Sequence, residues 1–198
     1  NISFSEINEA LQEFLGYTDQ IPPMYSALKR QGKALYELAR EGIEVERAPR
    51  RVLINSIEII NFETPFLTVK VSCSKGTYIR SLCHDMGRKL GTGAHVTGLV
   101  RTRIGHFRIE DSADISELPQ KKSALYTIDY SLHHLPEIVV AGENLKRAKN
   151  GNPIKLDKEL SQDRQSSFIV RLKDMDGNIF GIGKASHDFI KIERLLNL

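Results

Sequence analysis

Phe66-Leu67-Thr68-Val69-Lys70-Val71-Ser72-Cys73-Ser74-Lys75-Gly76-Thr77-Tyr78-Ile79-Arg80-Ser81-Leu82-Cys83-His84-Asp85-Met86-Gly87-Arg88-Lys89-Leu90 changes its period halfway along. Leu67, Val69, Val71 and Cys73 alternate with Thr68, Lys70 and Ser72, the pattern of a strand with one buried face. Ser74 to Thr77 breaks the alternation. Beyond it Ile79, Leu82, Cys83, Met86 and Leu90 recur at helical spacing, which predicts a helix from about Tyr78 to Leu90 that Gly91 stops. The joint presents Lys75, Tyr78 and Arg80 from a short turn at a helix N-terminus, where free N–H groups and the helix dipole favour anions. The same spacing also fits a plain connection whose polar residues meet water. A nucleotide-binding version is excluded, because neither the P-loop nor the dinucleotide glycine pattern occurs.

Working outward, Val52 to Phe62 is rich in isoleucine and reads as a strand, with Asn55-Ser56 interrupting the alternation as a bulge does. On the other side Gly91 to Val96 is a flexible turn, and Leu99 to Phe107 offers a second basic strand with Arg101 and Arg103. His95 is expected to hold the turn by hydrogen bonds. The expectation is an α+β fold with strands near 52–62, 66–73 and 101–108 in one sheet and the 78–90 helix packed on it.

The chain opens on Asn1, and Ile2-Ser3-Phe4 reads as the continuation of something already under way, so an N-terminal truncation is expected. Ser3-x-x-Glu6 is a capping box signature, and Ile7, Ala10, Leu11, Phe14 and Leu15 give the first helix its stripe before Gly16. In Gln20-Ile21-Pro22-Pro23-Met24-Tyr25-Ser26-Ala27-Leu28-Lys29, two prolines force an extended backbone, so Met24 and Tyr25 are displayed from a stiff loop. Tyr25 either stacks on a base or packs under the loop with its hydroxyl satisfied. A short helix is predicted within Lys33 to Glu41, and Glu44 to Arg51 reads as a charged loop.

From Asp111 to His134 the composition shifts to Ser, Pro and Lys, a helical linker at a domain edge. Glu137 to Val140 restarts as a strand, Glu143 to Lys149 as a short helix, and Asn150 to Pro153 as a sharp turn. Phe168 to Lys173, a turn at Met175 to Asn178, and Ile179 to Ala185 form a hairpin, with one more strand toward Leu198. Short strands with one helix suit a small β-barrel-like module from about Leu135.

Composition sets the outer bounds. The 198 residues, 40% hydrophobic and 27% charged, suit a soluble protein of one large or two small domains. No apolar run and no leader-like start suggests a membrane span or signal peptide, so a cytoplasmic protein is expected. Cys73 and Cys83 read as small core residues and not as a disulfide. No Cys, His and carboxylate cluster stands at ligand spacing, so no metal is expected. Between Lys70 and Arg108 eight basic residues face the single acid Asp85, on a chain whose net charge is only +3. That segment, interleaved with His84, His95 and His106, is either a footprint for a polyanion or a solvated face.

Four of these stretches also carry a resemblance. Ile21-Pro22-Pro23-Met24-Tyr25-Ser26-Ala27-Leu28-Lys29, with Gly32-Lys33-Ala34-Leu35-Tyr36-Glu37-Leu38-Ala39-Arg40-Glu41-Gly42 after it, resembles the TruB family of tRNA pseudouridine synthases. So do Cys73 to Leu82 and Gly91-Thr92-Gly93-Ala94-His95-Val96. The resemblance covers roughly Phe4 to Phe107, while the C-terminal part is more loosely similar to a PUA-type RNA-binding domain. It implies part of the synthase's mixed or antiparallel sheet with flanking helices over 1–110, the linker at 111–134 and a PUA-like β-barrel module over 135–198.

The resemblance implies isomerisation of a uridine in the T-arm loop of tRNA, without cofactor or metal, on a nucleotide flipped out of its stack. By the same resemblance Tyr25 matches the aromatic residue that stacks on the flipped base. Tyr78 matches the tyrosine abutting the base near C5, and Arg80 the arginine paired with the catalytic aspartate. Leu99 falls at a hydrophobic position lining the uridine pocket, and Lys29 and Lys75 fit the RNA-facing charge. The family's nucleophilic aspartate sits in a G-x-L-D-x-x-A-x-G segment upstream of the proline loop, and nothing before Gln20 matches it. Leu156-Asp157 is the only Leu-Asp pair and lacks that context. The chain alone is therefore expected to be inactive without the missing N-terminal segment of the same protein, and a monomer is expected. The alternative is a non-catalytic RNA-binding module on the same scaffold.

Overall fold

In a computed structural model of the chain, residues 2–122, 125–156, 167–186 and 188–196 are described. Asp157 of the Leu-Asp pair lies outside them. The chain divides into two compact units, residues 1–101 and 102–198. Among the described residues no helix is long and apolar enough to cross a membrane.

The first unit begins with helix α1 (Phe4–Gln12). Its capping box is complete: the Glu6 amide donates to Ser3 Oγ at 3.3 Å, and the Ser3 amide donates back to Glu6 Oε2 at 2.8 Å. The Ser3 amide first, and then the Ser3 hydroxyl, which donates to Glu6 Oε2 at 2.7 Å, hold the Glu6 carboxyl below the ordinary glutamate range. The helix ends at Gln12, short of the expected Leu15, and the chain continues as strand β1 (Gly16–Gln20). Nothing in Gly16-Tyr17-Thr18-Asp19-Gln20 signals a strand, since it lacks the apolar alternation that marks one. Two-residue strands β2 (Lys29–Arg30) and β3 (Lys33–Ala34) form a small hairpin before helix α2 (Leu35–Arg40).

Strands β4 (Arg50–Glu63) and β5 (Phe66–Cys73) pair antiparallel, and β1 pairs on the other side of β4, giving the order β1-β4-β5. The register shifts between Ile54 and Ser56, where the bulge was expected. Helix α3 (Ile79–Lys89) follows. Ile7, Ala10 and Leu11 of α1, Val52 and Ile54 of β4 and Leu82 of α3 are buried as this unit's apolar core. The apolar stripe of α3 is only half right as a guide to its buried face. Ser81, Leu82 and Gly87 are buried, whereas Ile79, Cys83, Met86 and Leu90 are half-buried. Cys73 and Cys83 are free thiols, also half-buried, and burial pushes the Cys83 thiol up.

The turn after α3 folds back on Gly87, whose carbonyl accepts from the amides of Thr92 at 3.0 Å and Gly93 at 2.9 Å. These bonds hold the turn. His95, expected to do so, is exposed and makes no hydrogen bond among the described residues.

The expected third strand near 101–108 is not part of this sheet. Strands β6 (Arg103–Ile104) and β7 (Phe107–Arg108) pair only with each other, in the second unit. Gly105, at φ +58°, turns the chain back on itself after two residues. His106 at that tip lies against Phe107, Tyr130 and His133, with ring centroids 4.2, 5.0 and 4.1 Å away. Burial, then His133 and His134, hold its pKa below the usual histidine value, so it adds no cation to a basic face at neutral pH.

Short 3₁₀ turns at Ile109–Asp111 and Ile115–Glu117 and a one-turn helix α4 (Ile128–Ser131) follow. Strand β8 (Glu137–Val139), helix α5 (Gly142–Lys149) and strands β9 (Ile154–Lys155), β10 (Phe168–Lys173), β11 (Ile179–Ser186) and β12 (Phe189–Leu195) complete the unit. The strands form one five-stranded sheet in the order β8-β10-β11-β12-β9. Val170, Leu172, Phe180, Ala185 and Ile190 pack with Val140, Ala148, Ile154 and Leu156 into its core. Bulges between Leu172 and Lys173 and between Ile182 and Gly183 bend these strands, as suits the curled sheet of a PUA-like module.

Candidate active site

The joint between β5 and α3 is built by hydrogen bonds that reach across the unit. Ser74 extends the sheet by one residue: its amide donates to the Leu53 carbonyl at 2.8 Å, and the Leu53 amide donates to Ser74 Oγ at 3.0 Å. Gly76, at φ +86°, then takes the left-handed conformation that reverses the chain. Lys75 stands exposed on that turn. Tyr78 is the N-cap residue of α3, in extended conformation, and its side chain makes no cap hydrogen bond.

Gln20, at the end of β1 and only 4% exposed, faces the Tyr78 backbone. The Tyr78 amide donates to Gln20 Oε1 at 2.7 Å, and Gln20 Nε2 donates to the Tyr78 carbonyl at 3.0 Å. The adjacent Ser81 hydroxyl, also buried, donates to the Ile21 carbonyl at 3.0 Å. Arg80 Nη2 donates to the Tyr25 carbonyl at 2.7 Å. Three hydrogen-bonding side chains thus lace the Ile21–Tyr25 loop and the end of β1 to the first turn of α3.

The loop is held from its other side as well. Pro22 and Ser26 are buried, Arg47 Nη1 donates to the Pro22 carbonyl at 3.3 Å, and the Tyr36 amide donates to the Ser26 carbonyl at 3.1 Å. Tyr25 is left 57% exposed between these anchors. Arg80 is exposed too, and among the described residues it has no carboxylate partner. A guanidinium in the first turn of a helix opposes the dipole, so helix stability does not explain its position.

Of the residues expected at a site, Tyr25, Tyr78 and Arg80 meet at this joint, with Lys75 on the turn beside Tyr78. Lys29 is exposed on β2, and Leu99 is 61% exposed in the segment after α3. The basic residues from Lys70 to Arg101 belong to the first unit and Arg103 and Arg108 to the second. Gln20, Ser81, Ser74 and Arg47, which build the joint, went unnoticed in the sequence. A glutamine or serine has no spacing of its own, and the partners of Gln20 and Ser81 lie about sixty residues away. Among the described residues no group of three or more His, Cys, Asp or Glu side chains could hold a metal ion.

Two family models match the chain. One described as TruB family pseudouridylate synthase (N terminal domain) covers residues 1–79, and one described as tRNA pseudouridylate synthase B C-terminal domain covers residues 80–147. A tRNA pseudouridine synthase B of Dechloromonas aromatica is 41% identical over 192 residues, covering 94% of this chain and 62% of the relative. One of Clostridium kluyveri is 46% identical over 181 residues, covering 90% of this chain and again 62% of the relative. One of Clostridium perfringens is 39% identical, covering 99% of this chain and 68% of the relative. The chain thus spans a little under two thirds of the first two relatives.

Among solved structures, a chain of a Cbf5-Nop10-Gar1 complex superposes with a TM-score of 0.62 at 20% identity. A chain of an H/ACA RNP bound to a substrate RNA containing 2'-deoxyuridine does so with a TM-score of 0.67 at 18% identity. Each match covers all of this chain and 62% of the other, and at such identities the likeness is one of fold.

Proposed function

Because this chain belongs to the TruB family of pseudouridylate synthases, we propose that it forms part of an enzyme isomerising a tRNA uridine to pseudouridine, at position 55 of the T-arm loop. The reaction breaks the C1′–N1 glycosidic bond and forms a C1′–C5 bond, the C5 hydrogen leaving as a proton while N1 gains one, so the composition is unchanged. A base inside a folded loop must leave its stack to be turned over, which calls for a pocket with a ring to receive it.

The observation that carries this reading is Arg80. It is exposed at the N-terminus of α3, with one Nη atom anchored on the Tyr25 carbonyl. The rest of its planar fork can take a carboxylate by paired, charge-assisted hydrogen bonds, which would keep that carboxylate ionised and aimed. In this proposal the carboxylate is the catalytic aspartate, and no G-x-L-D segment within this sequence supplies it. Tyr78 borders the base at the neighbouring position. Tyr25 offers an exposed side chain for a nucleobase, while Leu99 adds apolar lining and Lys29 and Lys75 add charge facing the RNA.

The test uses the full-length gene product and compares single-turnover pseudouridine formation with tRNA affinity. Arg80→Lys keeps the charge and loses the fork, so the rate of isomerisation should fall far more than the affinity. Tyr25→Ala should weaken tRNA capture by about 1–3 kcal/mol, as loss of a base stack does, while Tyr25→Phe retains it. If Arg80→Lys lowers rate and affinity together, or neither, Arg80 is an ordinary surface contact. tRNA binding without any pseudouridine from the wild type would instead favour the binding-module reading.

A further inference from the structure

Tyr78 is an N-cap residue whose backbone amide and carbonyl are both held by one buried side chain. Tyr78 N–H donates to Gln20 Oε1 at 2.7 Å, while the Tyr78 carbonyl accepts from Gln20 Nε2 at 3.0 Å and from the Leu82 amide at 3.0 Å. Only one orientation of the amide satisfies this pair, since the N–H needs an acceptor and the carbonyl a donor. The Gln20 backbone is fixed independently, as it pairs with Arg50 in the β1–β4 ladder. The clamp is therefore a rigid bar between the sheet and the peptide that carries the Tyr78 ring.

On the pseudouridine synthase reading above, we propose that Gln20 is a positioning residue for the reaction: its carboxamide fixes the Tyr78 backbone and thereby aims the Tyr78 ring and the Arg80 guanidinium at the base. Gln20 itself is only 4% exposed, so it would act through Tyr78. With φ −98° and ψ 109° held at Tyr78, the Cα–Cβ direction is set, and Arg80 follows two residues on in the same helical turn. Ser81, bonded to Ile21, and Arg80, bonded to Tyr25, stop the loop sliding along the helix but do not grip Tyr78. Losing the clamp would leave the helix in place, because α1 and β4 pack against the same core, while the Tyr78 amide would lose its acceptor and only the Leu82 amide would still hold the Tyr78 carbonyl, so the Thr77–Tyr78 peptide would be less tightly fixed.

The experiment is made on the full-length gene product, with saturating tRNA, well below the unfolding temperature of each variant. Gln20→Met keeps the shape and removes both hydrogen bonds. Its single-turnover rate should fall by about tenfold to a hundredfold, as small misplacements of reacting groups do, with tRNA affinity within about twofold. Gln20→Glu keeps the acceptor for the Tyr78 amide but sets a carboxylate against the Tyr78 carbonyl. Burial raises the pKa of such a glutamate, so the rate should recover as pH falls and the protonated acid again donates, a gain the wild type does not show. An unchanged Gln20→Met rate overturns the proposal, as does a rate loss matched by loss of tRNA affinity. A Gln20→Glu profile parallel to the wild type overturns it too, and decides the matter if Gln20→Met does not fold. A wild type that makes no pseudouridine defeats the underlying reading, and this inference falls with it.

Discussion

At Gly87 hydrogen is the largest side chain that α3 accommodates. A methyl group there would lie 2.2 Å from the Ala94 nitrogen and 2.3 Å from the Gly93 carbonyl carbon, both backbone atoms that cannot swing aside. In an open helix, replacing glycine by alanine gains about 1 kcal/mol. Here overpacking opposes that gain and, at about 1–3 kcal/mol, exceeds it, so Gly87→Ala should destabilise the protein. Denaturant titration reads the sign directly, and a stabilised Gly87→Ala would show that the turn is not seated on the helix. The helical spacing of Ile79 to Leu90 located α3 in the sequence but not this contact. Periodicity weighs apolar side chains, whereas two of the three buried positions are a serine bonded to Ile21 and a glycine covered by backbone.

Helix α4 is a single turn, too short to stand by propensity, and ion pairs join it to the second sheet. Asp129 meets Arg171 Nη1 at 2.6 Å and Lys173 Nζ at 2.8 Å, and Glu137 of β8 meets the same two bases at 3.4 and 3.0 Å. The Lys173 hydrogen bond, then Arg171, hold the Asp129 carboxyl below its ordinary value of 3.8, and Asp129 and Glu137 raise the Lys173 ammonium above 10.5. A depressed carboxyl contributes stability above the unfolded-state pKa and loses it as pH falls through the folded one. Asp129→Asn should therefore lower the melting temperature at neutral pH, and the gap to wild type should close as pH drops below about 4. A gap that persists in acid would mean that the carboxylate contributes nothing ionic.

Strong periods made β5, α3 and the β10–β11 hairpin legible in the sequence. The two-residue strands β2, β3, β6, β7 and β9 are too short to show any period, and β1 has too few apolar residues to alternate. Charges at 129, 137, 171 and 173 look like scattered surface residues until the sheet brings them together.

Over the whole chain, two units each with its own apolar core share the work of 198 residues. The α+β class and the order of the main elements could be read in advance because burial imposes periods on long elements. The change of period placed Tyr78 and Arg80 at a helix N-terminus, but their association with Tyr25 was legible only through motif resemblance. What holds it together was not, since hydrogen bonds between distant polar residues leave no local pattern.

The distance of those partners along the chain sets an order of events during folding. Gln20 and Tyr78 are 58 residues apart and Ser81 and Ile21 are 60, whereas the β4–β5 ladder begins at Glu63 and Phe66, across a two-residue turn. Closing a long loop costs more chain entropy than closing a tight hairpin, and the clamps return too few hydrogen bonds to nucleate by themselves. The hairpin should form first and the joint last, once β1 has paired with β4. Pulsed hydrogen exchange during refolding should find the amides of the β4–β5 ladder protected before that of Tyr78, and the reverse order would contradict it. The joint of β1, the Ile21–Tyr25 loop and α3 is thus a product of the finished fold, and a chain caught partway through refolding would carry its strands without it.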